Sequence, residues 1–275
     1  MDPVVYNIPA SMIGAYRSRK VIVRSHDPAE IVGALSPEDL AGVSYVQVLS
    51  VRSEPERLVH WGQGIPVDLV VQDPKLDLPL LYQCAPLLDR HAVRVTIPVA
   101  PGLSRVVKLA VALNFAVKLE VSQPAPPLLD ELSQVAHSYL HQATVAQPIE
   151  YFHSLFLAFY RGDPVTLWSI QEEDPLHVRY ITDEGKETLS RRFAESDLKG
   201  DVTTFVTRFT ESLLAEKAEC SSCEVLAHCS GYFKWPNREY RCDGVKTLFR
   251  TLKSAAEELR GDLAAFTSDG QEERS

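Results

Sequence analysis

The sequence predicts an α/β fold built on a parallel β-sheet, because strand-like and helix-like segments alternate through its first half. Five short runs rich in β-branched residues are separated by segments whose apolar residues have helical spacing. The connections are short, and parallel strands need a crossover segment to return the chain. We therefore expect a partial or complete parallel (β/α) barrel, with an open doubly wound sheet as the alternative.

The individual elements are predicted from the same periodicities. The strands are expected at residues 20–24, 45–51, 66–72, 92–99 and 115–121. The helices are expected at 29–35, 37–41, 78–90, 103–113, 127–141, 149–160, 202–217 and 244–264. Residues 1–18 show no clear periodicity, and residues 176–200 predict a hairpin with a connector. The acidic run at residues 171–175 predicts a solvated loop.

Composition excludes several classes of protein. The 275 residues are 45% hydrophobic and 24% charged, which is the normal globular range. The net charge is -9 and no basic patch stands out, so a nucleic-acid backbone would be repelled. No apolar run approaches the length of a membrane span, and the first residues do not resemble a signal peptide. We therefore expect a cytoplasmic protein that binds neither nucleic acid nor a membrane.

Cysteine spacing is the most specific signal in the sequence. Cys84 stands alone in an apolar, helix-like run and is expected to be a buried, inert thiol. Cys220, Cys223, Cys229 and Cys242 follow the pattern C-x2-C-x5-C-x12-C. In a reducing compartment such a cluster favours metal binding over disulfides, and four thiolates suit either Zn²⁺ or an iron–sulfur cluster. Structural zinc usually has two C-x2-C pairs, and the five-residue gap fits that pattern poorly.

This cysteine pattern resembles part of the SPASM domain, the C-terminal extension of radical-SAM peptide-modifying enzymes. The resemblance implies that Cys220, Cys223, Cys229 and Cys242 ligate one [4Fe–4S] cluster, with zinc as the alternative. In that family a further cysteine, four positions after the third cysteine of this pattern, helps to ligate a second cluster. Phe233 occupies that position here, and the required upstream cysteines are absent. The resemblance therefore implies a single cluster.

The predicted α/β region resembles a radical-SAM barrel, but less specifically than the cysteine pattern resembles the SPASM domain. That family has a Gly-Gly-Glu-Pro motif after its second strand, and residues 52–55 here read Arg-Ser-Glu-Pro after the strand predicted at 45–51. The family's C-x3-C-x2-C motif is missing, since the loop at residues 25–28 contains no cysteine. Without those thiolates the chain has no cluster with which to cleave S-adenosylmethionine.

These observations predict three regions and a non-catalytic role. Residues 1–200 are expected to form a degenerate radical-SAM-like barrel, 201–265 a SPASM-like iron–sulfur module, and 266–275 a mobile tail. The chain is then a silent subunit, without catalytic residues, that forms a heterodimer with an active radical-SAM or other maturation enzyme acting on a ribosomally made precursor peptide. The aromatic and basic residues 232–241 are the candidate contact with that partner or peptide.

Two other functions remain open from the sequence. Glu54, Asp73, Ser122 and Gln123 follow predicted strands, where barrel enzymes keep their catalytic groups, so the chain is alternatively an independent barrel enzyme. The other alternative is a binding or adaptor protein whose cysteine module is stabilised by a structural zinc ion. The metal content and the presence of a copurifying enzyme separate the three.

Overall fold

The fold is organised around one eight-stranded sheet. We analysed a computed structural model, which describes residues 3–62, 64–142, 146–196, 198, 200–217 and 219–272, with side chains to residue 266. The strands are β1 Val5–Pro9, β2 Lys20–Ser25, β3 Val43–Val48, β4 Val67–Val70, β5 Val93–Pro98, β6 Ala116–Glu120, β7 Val178–Ile181 and β8 Glu187–Thr188.

Strand order follows chain order across most of the sheet. The order is β6-β5-β4-β3-β2-β1-β7-β8, and every pair is parallel except the β7–β8 hairpin. A doubly wound sheet reverses its strand order at a switch point, and no reversal occurs from β1 to β6. Among the described residues the edge strands β6 and β8 do not pair with each other, so the sheet is not a closed barrel.

Helices and short 3-10 turns connect the strands and cover the sheet. The helices are α1 Ile13–Tyr16, α2 Pro28–Ala34, α3 Leu81–Cys84, α4 Leu103–Ala112, α5 Pro126–His141, α6 Glu150–Arg161, α7 Leu167–Ile170, α8 Phe205–Ala215, α9 Leu226–Cys229 and α10 Asp243–Glu272. All four residues of β4 are buried, as expected of a parallel strand covered on both faces. Within the part of the chain that the structure covers, every helix is too short or too polar to cross a membrane.

Residues 1–18, for which the sequence predicts no element, contain strand β1. This strand has only five residues and ends at Pro9, and its central Asn7 is polar, so its periodicity is weak. The loop at residues 25–28 therefore follows the second strand, and the Arg-Ser-Glu-Pro segment follows the third. The turn after β1 contains no cysteine either.

Two helical predictions also differ from the structure. Residues 78–90 form a short α-helix, α3, between two 3-10 helices, because Pro79 and Pro86 lack the backbone N–H that a continuous helix needs. At the other end of the chain, α10 continues to Glu272 instead of ending at residue 264. Its added residues therefore include most of the expected tail, and residues 273–275 lie outside the described residues.

Candidate functional site

All four clustered cysteines line one cavity, which we call the cysteine cavity. Cys220, Cys223, Cys229 and Cys242 surround it together with apolar side chains that include Phe233 and Phe249. The four thiols are free, so the structure brings together the residues that the sequence pattern selected. No group of three or more His, Cys, Asp or Glu residues in the described ranges is arranged to hold a single metal ion.

Local backbone structure explains how the first three cysteines converge. Cys220 lies in a 3-10 helix, Glu219–Ser222, and the Cys223 N–H donates to the Cys220 carbonyl over 3.2 Å, so both thiols lie on one tight turn. Cys229 ends α9, and the next two residues, Ser230 and Gly231, have positive φ angles of 46° and 73° that reverse the chain. The two-residue gap therefore corresponds to one tight turn. The five-residue gap corresponds to a turn followed by the short helix α9.

The fourth cysteine arrives from the far side of a loop. Cys242 immediately precedes α10, and its carbonyl accepts a hydrogen bond from the Lys246 N–H at 2.8 Å, as at the start of a helix. The loop between Cys229 and Cys242 is held against the segment that follows β6. Gln123 Nε2 donates to the carbonyls of Phe233 at 2.8 Å and Asn237 at 2.7 Å. The cysteine cavity is thus anchored at the carboxyl end of β6.

Two lysines and one glutamate border the cavity. Lys234 is only 6% exposed, and its ammonium donates to Glu219 at 2.8 Å and to the Tyr240 carbonyl at 2.6 Å. Lys246 pairs with the other oxygen of the same glutamate. Burial acts to lower the pKa of Lys234, but the bond to Glu219 and the nearby Cys242 outweigh it and raise that pKa. Two positive charges and one negative charge therefore stand beside the four thiols.

Burial favours the protonated form of three of the four thiols. It raises the pKa of Cys220, that of Cys229 to about 11 and that of Cys242 to about 12. Cys84 lies elsewhere, at the end of α3, with no exposed surface, and burial raises its pKa to about 12. The prediction that Cys84 is a buried thiol is confirmed.

Two buried side-chain polar atoms in the described residues lack a hydrogen bond. They are the hydroxyl of Tyr151, in α6, and the hydroxyl of Ser104, in α4. Tyr151 is 1% exposed, and burial raises its pKa well above the ordinary value.

A second group of functional interest, which we call the interior network, lies on one face of the sheet. Arg94 of β5 donates to Asp68 of β4 and to Glu172, each over 3.1 Å. Glu172 also pairs with Lys118 of β6 and accepts a hydrogen bond from the Tyr45 hydroxyl at 2.8 Å. Burial alone would raise the pKa of Glu172, but Lys118 and Arg94 lower it well below the ordinary value. These charges satisfy one another within the chain.

The acidic run at residues 171–175 is therefore not a solvated loop. Glu173 is 6% exposed and forms a bidentate pair with Arg192, whose Nε lies 2.8 Å from both carboxylate oxygens. Gln171 is also buried and donates to the Leu119 carbonyl at 3.0 Å. The prediction was wrong because the basic partners come from distant parts of the chain, Lys118 and Arg192 among them.

Beside the interior network is a small polar cavity of about 60 Å³. Its polar lining includes Asn7, Gln47, Lys118, Glu120, Tyr180 and Arg191. β1 and β6 both contribute to it although they are five strands apart, which on a flat sheet is roughly 24 Å. The sheet therefore curves around this cavity. The sequence does not predict this cavity, because a single charged residue inside an apolar strand does not indicate which face of the sheet it occupies.

The strand-end residues proposed from the sequence do not act as one group. Glu54 is exposed and pairs with Arg57 at 2.6 Å, while Asp73 accepts from the N–H groups of Lys75 and Leu76 in its own turn. Ser122 is exposed, and Gln123 holds the cysteine loop as described above. Gln123 is thus the residue of this set that bears on the candidate site, through a structural contact.

The segment proposed as a contact surface is exposed only in its second half. Tyr232, Phe233 and Lys234 are at most 6% exposed, so they cannot contact a partner. Residues 236–239 and Arg241 are exposed and remain available. Tyr232 is buried because it packs edge-on against the buried Trp168, with ring centroids 5.0 Å apart. Its partner comes from a distant part of the chain, so the sequence pattern does not predict this burial.

Comparison with known proteins adds no relative. No protein-family model matches the chain, and neither the curated proteins nor the solved structures contain a match.

Proposed function

We propose that this chain is a catalytically silent iron–sulfur subunit of a peptide-maturation enzyme, with one [4Fe–4S] cluster bound by Cys220, Cys223, Cys229 and Cys242. The observation that carries the proposal is the convergence of all four free thiols on one cavity. The partner is an active radical-SAM or other maturation enzyme in the cytoplasm, and the substrate is a ribosomally made precursor peptide.

The spacing of the four cysteines favours a cluster over zinc. Structural zinc usually has two C-x2-C pairs, and the five-residue gap between Cys223 and Cys229 fits that pattern poorly. Four cysteine thiolates are also the usual ligand set of a [4Fe–4S] cluster, and all four cysteines line one cavity here.

The charges beside the cavity also fit a cluster. Buried thiolates are costly unless positive groups compensate them, and Lys234 and Lys246 supply two ammonium groups there. Glu219 holds both lysines in place, because its carboxylate accepts a hydrogen bond from each ammonium group. When bound, the cluster would supply one-electron transfer. With four cysteine ligands it would have no open iron site for a substrate, so its roles are electron relay or stiffening of a docking surface.

The front of the chain supports the silent role. The sequential strand order and the curvature of the sheet are compatible with a partial barrel of the radical-SAM type. No cysteine precedes Cys84, so the C-x3-C-x2-C motif cannot be assembled. Glu172 and Lys118, which line the polar cavity, pair with each other, and Glu172 also pairs with Arg94, so these charges are satisfied by the chain itself.

Metal analysis of anaerobically purified chain tests the proposal. We expect iron and acid-labile sulfide in equal amounts, about four of each per chain for a [4Fe–4S] cluster. Zinc in a one-to-one ratio, without iron, would overturn the cluster and favour the zinc-stapled adaptor. Copurification of a second chain that carries C-x3-C-x2-C is the expected result for the partner, and a chain that modifies a peptide alone contradicts the silent role.

A second candidate function, an independent enzyme, is favoured by one specific observation. Glu120 lines the polar cavity, and its carboxylate lies 3.5 Å from Arg191. A carboxylate that faces a cavity beside a basic side chain is a candidate for general acid–base catalysis. If the chain alone has an activity that Glu120→Gln abolishes while the fold is retained, this candidate replaces the first.

A further inference from the structure

We propose that the ammonium of Lys234 donates a hydrogen bond to the cluster-bound sulfur of Cys242, and so raises the cluster's reduction potential. This inference rests on the proposed function, since it requires a cluster in the cysteine cavity. It gives Lys234 a specific effect on the redox chemistry of the cluster, beyond the balancing of buried charge.

The position of Lys234 is the first observation. Lys234 and Cys242 both line the cysteine cavity, and they contact the same backbone oxygen. The Lys234 Nζ lies 2.6 Å from the Tyr240 carbonyl oxygen, and the Cys242 Sγ lies 3.8 Å from that oxygen. The separation of the nitrogen and the sulfur therefore cannot exceed the sum of these two distances. The ammonium and the thiol are neighbours that share one acceptor.

The hydrogen bonds of the Lys234 ammonium are the second observation. A lysine ammonium has three N–H groups. Two of them donate to Glu219 at 2.8 Å and to the Tyr240 carbonyl, and no described residue provides a third acceptor. The Lys234 side chain is 7% exposed, so water has little access to the remaining N–H. One buried donor is therefore available to an acceptor in the cysteine cavity.

Cluster binding turns the Cys242 sulfur into such an acceptor. In the metal-free chain the Cys242 S–H donates to the Tyr240 carbonyl. A cysteine binds iron as the thiolate, so binding removes this donor and leaves the sulfur as an acceptor only. The sulfur and the carbonyl are then two acceptors side by side, which repel each other unless a donor bonds both. Lys234 already bonds the carbonyl and is the donor in place.

The sign of the effect follows from the charge of the cluster. A donor and a positive charge beside cluster sulfur stabilise the reduced state more, because reduction adds one negative charge. The Lys234 side chain is less exposed than that of Lys246, at 7% against 16%, so water screens its charge less. Removing the Lys234 ammonium should therefore make the reduction potential more negative.

Lys234→Met in the cluster-loaded full chain tests the inference. Methionine keeps an unbranched side chain, and Glu219 keeps Lys246 as its partner. We expect unchanged iron and sulfide content and a more negative midpoint in an anaerobic redox titration. Electron–nuclear double resonance of the reduced cluster should show one exchangeable proton coupling fewer than in wild type, because the N–H···S bond is lost.

A second measurement covers the case in which Lys234→Met fails to hold its cluster. Lysine labelled with nitrogen-15 is incorporated into Lys246→Met, in which Lys234 is the lysine that remains in the lining of the cysteine cavity. Pulsed electron paramagnetic resonance of the reduced cluster should then show a coupling to the labelled nitrogen. Absence of this coupling would overturn the inference.

Lys253→Met is the matched control, because it removes the same charge from an exposed pair with Glu257 on α10, outside the cysteine cavity. It should leave the midpoint and the proton couplings unchanged. If the midpoint of Lys234→Met equals that of wild type or of this control, or its proton couplings are those of wild type, the inference is wrong while the cluster stands. If wild-type chain binds no cluster at all, the proposed function and this inference fall together.

Discussion

The interior network and the cysteine cavity are two interior regions with different chemistry. In the interior network Asp68, Arg94, Lys118 and Glu172 pair with one another across three strands and a loop. In the cysteine cavity four free thiols meet without a disulfide. The comparison teaches that the charges of the first region are already paired with one another, whereas the thiols of the second region are not bound to one another.

The physical basis of this difference is the cost of burying unpaired polar groups. A buried ion pair contributes little net stability, but removing one member leaves a costly unpaired charge. The interior network therefore behaves as a structural unit whose members depend on one another. Neutral thiols cost far less to bury, so four cysteines can line a cavity without a ligand. Under the proposed function, the cavity would gain stability when the cluster binds.

The largest expected effect comes from Cys223→Ser. A serine oxygen is a poor ligand for iron, so the variant should lose most of its iron and sulfide and the melting temperature of the purified protein should fall. Iron and sulfide assays on anaerobic protein measure the loss. Cys84→Ser is the control and should keep full metal content, because Cys84 is outside the cavity. Loss of metal in the control would show that Cys84 is wrongly assigned as a thiol that does not bind the metal.

The next largest effect is expected for Glu172→Gln. The neutral amide leaves Lys118 and Arg94 without their shared carboxylate, which should destabilise the fold by about 3 kcal/mol. Urea unfolding measures this change in the free energy of unfolding. Glu54→Gln removes only an exposed pair with Arg57 and should change stability by less than about 0.5 kcal/mol. Equal losses in the two variants would contradict the interior network.

The same carboxylate predicts a pH dependence. Burial alone would raise the pKa of Glu172, but Lys118 and Arg94 lower it in the folded state. A lowered folded pKa gives stability that is present above the unfolded value, about 4.3, and is lost as the pH falls toward the folded value. The difference in unfolding free energy between wild type and Glu172→Gln should therefore shrink below about pH 4. Urea titrations at several acidic pH values measure it, and a growing difference would refute the assignment.

The smallest effect is expected at the turn after Cys229. Gly231 has φ 73°, and an added Cβ would lie 2.5 Å from the Leu213 Cδ1, so Gly231→Ala should cost about 1–2 kcal/mol. Gly33→Ala in α2 meets no atom within 4 Å and should stabilise by about 0.5–1 kcal/mol. Thermal melts of both variants measure these changes, and a neutral Gly231→Ala would mean that the turn tolerates a side chain.

Much of the sheet could be predicted from sequence because its strands are rich in valine and other β-branched residues. Residues 43–48, for example, carry buried valines at 43, 46 and 48, and the predicted strand overlaps them. β1 was missed because a five-residue strand with a central Asn7 has no clear period. The burial of Glu172 and Glu173 was missed because a charged residue predicts exposure unless its partner is known.

Sequence alone determined the alternation of elements and the spacing of the four cysteines, because both depend on residues close together in the chain. Only the tertiary structure decided that these cysteines share a cavity with Lys234 and Lys246, and that Glu172 meets Lys118, 54 positions away. Contacts between distant segments depend on how the sheet curves and how the loops return. Local periodicity contains no information about either.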